Sequence, residues 1–164
     1  MIRFAVIGIT HGHINGQVQC LLDAGATFVA WHAYAHESTL TEAFGKAFPQ
    51  ARQVNDEAAI LEDPSIHMVV TSTVPADRAP LGVRVMQHGK DFMTDKPGFT
   101  TLAQLAEARR VQAETGRIYS VCYSERFENR ATTHAAELAR QGAIGRVVQT
   151  IGLGPHRGNL PTRL

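Results

Sequence analysis

Phe4-Ala5-Val6-Ile7-Gly8-Ile9-Thr10-His11-Gly12-His13 is the stretch that decides the fold. Four apolar residues run without alternation into a glycine, the pattern of a strand buried on both faces. Behind the turn, Ile14, Val18, Leu21 and Leu22 recur at helical spacing, with Gly25 just past the end. A second apolar run, Phe28-Val29-Ala30-Trp31, follows at once. Strand, helix and strand at this spacing make a βαβ unit, because two parallel strands need a crossover between them.

The alternation continues along the chain. Leu40, Ala43, Phe44, Ala47 and Phe48 predict a helix, with Thr39 and Glu42 as a capping box at its start and Pro49 at its stop. A short helix over 56–62 stops before Pro64, and a strand is expected over 67–71. A helix from Asp77 places Leu81, Val85 and Met86 on one face and ends at Gly89. A strand over 91–93, a helix capped by Thr101 and Gln104 that runs to Gly116, and a strand over 118–122 complete the series. Two βαβαβ halves predict an α/β fold, a Rossmann-type doubly wound parallel sheet.

Composition narrows the partners. Among 164 residues, 44% are apolar and 19% charged, the balance of a folded globular chain. Sixteen basic against 15 acidic side chains give a net charge of +1 with no block of one sign. Neither nucleic-acid nor membrane-surface binding gains support from that pattern. No apolar run is long enough for a membrane span, and the apolar start reads as a strand rather than a secretory leader. Cys20 and Cys122 stand far apart in apolar settings, as expected of two buried thiols in a reducing cytoplasm.

A turn that opens from a strand into a helix suits a dinucleotide pyrophosphate, which needs close backbone approach and a helix N-terminus. Gly8 supplies the tight turn, and Gly12 and Gly16 keep the loop permissive. Thr10 and His13 occupy the other two positions of the usual glycine triplet. Thr10 could offer its hydroxyl and N–H to a phosphate, and His11 or His13 partial positive charge. The same spacing also fits a glycine-rich turn that binds nothing. A ribose-binding acid is expected ~20 or more residues after the first glycine. The chain there reads Trp31-His32-Ala33-Tyr34-Ala35-His36-Glu37: Ala33 has no carboxylate, no arginine stands beside it, and Glu37 reads as the start of the next helix. NAD and NADP both stay open. A metal cluster of His11, His13, His32 and His36 is the weaker reading of the histidines, since no acid precedes Asp23.

Asp95-Lys96-Pro97 follows a strand at the sheet edge where α/β folds bind ligands, although by composition alone it is a turn before a helix. It stands in order with Val6-Ile7-Gly8, Val69-Val70-Thr71-Ser72-Thr73-Val74-Pro75 and Tyr123-Ser124-Glu125-Arg126-Phe127. On these motifs the chain resembles the glucose–fructose oxidoreductase/inositol dehydrogenase (Gfo/Idh/MocA) family. The resemblance implies NAD or NADP as cofactor and Lys96 as the catalytic residue beside the nicotinamide and the substrate hydroxyl. Asp95 then stands where the family has Glu, and the bond before Pro97 is often cis. It also implies that Thr71, Ser72, Thr73 and Pro75 pass the nicotinamide ribose, and that Tyr123 and Arg126 form the hinge to a substrate domain. The cofactor-binding set is therefore Gly8, Thr10, His11, Gly12, His13, Thr71, Ser72, Thr73, Pro75, Asp95, Lys96 and Tyr123, with no metal ligand.

Two regions are expected: a cofactor domain over 1–124 and, over 125–164, the incomplete start of an α+β substrate domain. In the second, Ala131, Ala135, Leu138 and Ala139 line a helix that ends at Gly142, and 146–153 alternates like a strand. Gly154-Pro155-His156-Arg157-Gly158 looks like the first strand and loop of the family's second domain. The family runs to about twice this length, with its usual catalytic histidine in an Asp-x-x-x-His motif beyond the equivalent of Leu164. Expected, then, is a cytoplasmic, homo-oligomeric oxidoreductase acting on a secondary alcohol of a sugar, inositol or related polyol, active only with the rest of that domain. The departures in the glycine loop and the absent ribose acid motivate the other reading, a non-catalytic dinucleotide-binding or sensor module.

Overall fold

A computed structural model describes residues 1–123 and 129–153. The chain divides into two compact units, Met1–Tyr123 and Ser124–Leu164. The first contains β1 (Arg3–Ile7), α1 (His13–Asp23), β2 (Thr27–His32), a 3₁₀ turn (Ala35–Leu40), α2 (Thr41–Ala47), β3 (Arg52–Gln53) and α3 (Ala58–Leu61). It continues with β4 (Met68–Thr71), α4 (Pro75–Gln87), β5 (Asp91–Asp95), α5 (Leu102–Thr115) and β6 (Tyr119–Cys122). The strands form one parallel sheet in the order β3-β2-β1-β4-β5-β6. The order reverses between β1 and β4, and this fold class opens its ligand crevice beyond the carboxyl ends of the strands at such a point.

Alternate residues of β1 feed two cores. Phe4 and Val6 join Val18, Phe28, Trp31, Phe44 and Phe48 on one face; Ala5 and Ile7 join Ile60, Val69, Leu81, Val85 and Phe92 on the other. Both sets are buried, which is why β1 shows no polar alternation. Phe28 stacks on Phe4 at 5.0 Å and meets Phe48 edge-on at 5.7 Å, fixing α2 against the sheet.

Several local signals act as expected. Thr101 Oγ1 accepts from the Gln104 N–H at 3.1 Å, and Gly116 ends α5 in the left-handed region at φ 66°. Pro80 lies inside α4 and has no N–H for the Ala76 carbonyl; Gln104 Nε2 donates to that carbonyl instead, at 2.9 Å, and ties α5 to α4. Gly82 lets α4 approach the sheet, since a Cβ there would come 2.4 Å from the Tyr119 ring and 2.6 Å from that of Phe92. Gly82→Ala should therefore cost about 1–3 kcal/mol through overpacking, read as a lowered denaturant midpoint at unchanged slope.

Four expectations need correction. The 39–48 helix is shorter: residues 35–40 form a 3₁₀ turn, α2 starts at Thr41, and no side chain caps it. Glu42 bonds Lys46 one turn on at 2.6 Å, so the Thr39–Glu42 box does not form; Glu37 instead reaches back to the Tyr34 N–H at 2.9 Å. Leu40 is 38% exposed because the 3₁₀ turn breaks the helical phase. Cys20 is exposed and Cys122 half-buried, since α1 buries Ile14, Gln17 and Val18, a stripe that leaves Cys20 outside. Residues 146–153 are not a strand, for among the described residues none pairs with them and alternation alone leaves the ladder bonds unmade.

In the second unit, α6 (Arg130–Arg140) is capped by Asn129, whose side chain accepts from the N–H groups of Ala131 at 2.9 Å and Thr132 at 3.2 Å. Gly142 follows at φ 77°. Arg126, expected with Tyr123 in the hinge, its neighbours Ser124, Glu125 and Phe127, and the Gly154-Pro155-His156-Arg157-Gly158 loop lie outside the described residues. Among the described residues, no helix is long and apolar enough to cross a membrane.

Candidate functional site

Gly8 leaves β1 at φ +83°, in the left-handed region that glycine tolerates. Its N–H donates to the His32 carbonyl at 3.0 Å, and its carbonyl accepts from the Ser72 N–H at 3.2 Å. The two loops of the switch point are thus bonded to each other. Ser72 adds a second bond, donating its hydroxyl to the His11 carbonyl at 2.7 Å. A Cβ on Gly8 would stand 2.6 Å from Thr73 Cβ, so the close approach belongs to glycine alone. Thr71, Ser72 and Thr73 are fully buried around it, and Pro75 starts α4.

The structure tests whether a dinucleotide fits this turn. Among the described residues, the Thr10 and Gly12 N–H groups have no hydrogen-bond partner, and both residues are exposed at the start of α1. Thr73 Oγ1 is buried without a partner, directly below Gly8. Two open amides at a helix N-terminus and one orphan hydroxyl are what an anionic group laid over the turn would satisfy. The residues fit. One part of the expectation is corrected: the Thr10 hydroxyl donates to Glu37 Oε1, so only its N–H is open to a phosphate.

Asp95 gathers the other half of the site. Its carboxylate is buried at the end of β5, where Oδ1 accepts from the Lys96 N–H at 2.8 Å and stands 3.0 Å from His13 Nδ1. Oδ2 accepts from Arg78 at 3.3 Å. A carboxylate only accepts, so His13 carries a proton on Nδ1. The His13 N–H in turn donates to His11 Nδ1 at 3.3 Å. Burial pulls the His11 imidazole below its ordinary range and the neighbouring His13 adds to this, against the opposing effect of Asp95. Lys96 is half-buried, the bond to Pro97 is cis, and the ammonium has no ion-pair partner among the described residues.

Arg78 is the site residue that sequence reasoning missed. It is buried on α4, donating to the carbonyls of Thr73 at 2.8 Å and Pro97 at 3.2 Å as well as to Asp95. One guanidinium thereby joins the loop after β4 to the Asp-Lys-Pro turn. A buried arginine needs such a set of acceptors, yet nothing in the spacing of α4 signals them. Tyr123 is 53% exposed just past β6, apart from this network.

His11, His13 and Asp95 also bring ligand-type atoms within 4.8 Å of one another. The chain separates the acid from the histidines by more than 80 residues, so local spacing did not show the grouping. Asp95, however, already serves Arg78, His13 and the Lys96 amide, and two basic side chains stand beside it.

A parallel sheet of this order with a glycine turn at its switch point is a Rossmann-type, nucleotide-binding architecture. The chain belongs to the oxidoreductase family with an NAD-binding Rossmann fold, whose model matches residues 2–123. Among its relatives is scyllo-inositol 2-dehydrogenase (NADP(+)) IolW of Bacillus subtilis, 28% identical over 89 residues that cover 54% of this chain and 25% of that protein. A crystal structure of a provisionally assigned oxidoreductase from Erwinia carotovora atroseptica superposes with a TM-score of 0.93 at 40% identity, over 98% of this chain and 47% of that one. Biliverdin reductase from Synechocystis sp. PCC 6803, solved with biliverdin and NADP+, shares the fold with a TM-score of 0.69 at 20% identity, over 88% of this chain and 44% of that one. This chain thus spans less than half the length of these relatives.

Proposed function

We propose that this chain is the cofactor-binding part of an NAD(P)-dependent oxidoreductase that removes hydride from a secondary alcohol of a sugar, inositol or related polyol. The observation that carries the reading is the Asp95 network, which bonds His13 of the phosphate turn and the Lys96 amide to one buried carboxylate. It sets the lysine at a fixed place relative to the turn. The nicotinamide, when bound, supplies the hydride acceptor. Gly8, Thr10, His11, Gly12 and His13 bind the diphosphate, and Thr71, Ser72, Thr73 and Pro75 line the ribose next to the nicotinamide. The Lys96 ammonium holds the substrate oxygen and stabilises the negative charge that grows on it as its proton leaves. Tyr123 marks the passage to the substrate domain, which supplies the rest of the pocket and the proton acceptor.

The polyol class rests on the family resemblance and on the inositol dehydrogenase relative. We read His11, His13 and Asp95 as a hydrogen-bonded support without a metal, since the carboxylate is already engaged by three donors. A soluble homo-oligomer in the cytoplasm completes the reading. The test is a panel of inositols, sugars and linear polyols offered with NAD+ or NADP+ to the protein carrying a complete second domain. Formation of the reduced nicotinamide with a cyclic or linear polyol is expected. Nucleotide binding without turnover of any alcohol in that panel would instead favour the sensor module, a reading supported by the Ile9 N–H and Thr10 hydroxyl being already taken by Glu37.

A further inference from the structure

The ladder between β4 and β5 ends at the pair Thr71 and Thr94. Two segments run on past it, 72–75 and 95–97, and Arg78 joins them from near the start of α4, where it is 2% exposed. Its Nε donates to the Thr73 carbonyl at 2.8 Å. One terminal nitrogen donates to the Pro97 carbonyl at 3.2 Å, and the other to Asp95 Oδ2 at 3.3 Å. Each guanidinium nitrogen is thus engaged by a different residue. Two of those residues, Asp95 and Pro97, flank Lys96 directly, and Asp95 Oδ1 also accepts from the Lys96 N–H at 2.8 Å.

From this arrangement we infer that Arg78 is a positioning residue for Lys96, an inference that rests on the oxidoreductase reading above. One acceptor would anchor α4 to the sheet. Three, with two of them on either side of the lysine, fix the offset between the lysine and the loop after β4. In the proposed reaction that loop lines the nicotinamide ribose and the Lys96 ammonium holds the alcohol oxygen. Hydride transfer is sensitive to such an offset, because reacting atoms must approach to ~3–3.5 Å and a displacement of ~1 Å can cost ~10²-fold. Lysine at this position would keep the charge, but its single nitrogen cannot span acceptors on two loops.

Steady-state kinetics on the protein with its complete second domain compare Arg78→Lys, Lys96→Ala and the double variant. Arg78→Lys is expected to lower kcat about 100-fold. The nucleotide dissociation constant should change by less than about threefold, with far-UV circular dichroism unchanged. Added to Lys96→Ala, the same substitution should cost less than about threefold, because no ammonium is left to aim. A merely structural role would repeat its full loss in both backgrounds. Where Arg78→Lys does not fold, Arg78→Met with Asp95→Asn removes both buried charges together and carries the same comparison. Near-normal kcat in Arg78→Lys, or its full loss repeated on Lys96→Ala, overturns the role of Arg78 and leaves the oxidoreductase reading in place. Absence of turnover with every alcohol of the panel, in unmodified protein that still binds nucleotide, overturns that reading and the role of Arg78 with it.

Discussion

Gly8→Val is expected to remove NAD(P) binding from a chain that still folds. The glycine sits at φ +83°, and holding a β-branched residue there costs about 1–3 kcal/mol before any contact is counted. The added Cβ would also stand 2.6 Å from Thr73 Cβ and 3.1 Å from Thr71 Oγ1. Either the turn swings away or the loop after β4 does, and both movements break the Gly8–Ser72 bond that holds them together. The open Thr10 and Gly12 amides then no longer converge. We expect a loss of affinity of about 100-fold or more, equivalent to some 2.7 kcal/mol, with a melting temperature lowered by several degrees. Normal binding by the valine variant would mean that the diphosphate lies elsewhere.

Lys96→Ala should do the opposite: leave the nucleotide and remove the chemistry. In a protein with the complete second domain, turnover is expected to fall by about 10²–10⁴-fold, with the nucleotide dissociation constant changed by less than about threefold. The reason is geometric. The backbone N–H of Lys96, not its ammonium, is bonded to Asp95, so alanine keeps the turn and the buried Asp95–Arg78 pair intact. Steady-state kinetics beside a binding titration separate the two effects. A variant with near-normal turnover would take Lys96 out of the reaction.

Much of the fold was legible because its signals are local. An unbroken apolar run before Gly8, a Thr101–Gln104 cap and Gly116 in the left-handed region are each set by neighbours a few residues apart. The site was legible only where a motif names its own members, as in Asp95-Lys96-Pro97. Glu37 looked like a helix start because its partners Ile9 and Thr10 lie 28 and 27 positions away, reached only when β1 and β2 pair. Arg78 was silent for the same reason, its acceptors standing on two other loops. Residues 146–153 erred the other way: alternation is a local signal, but a strand needs a neighbour to pair with.

The central claim is that the turn from Gly8 to His13 receives a diphosphate through its open amides. Backbone amide spectra of the chain, recorded by NMR during an NAD+ titration, report on those groups individually. The Thr10 and Gly12 signals are predicted to move together and saturate with a single dissociation constant. Unmoved Thr10 and Gly12 signals, at nucleotide concentrations in the millimolar range and with the fold intact, would contradict the account.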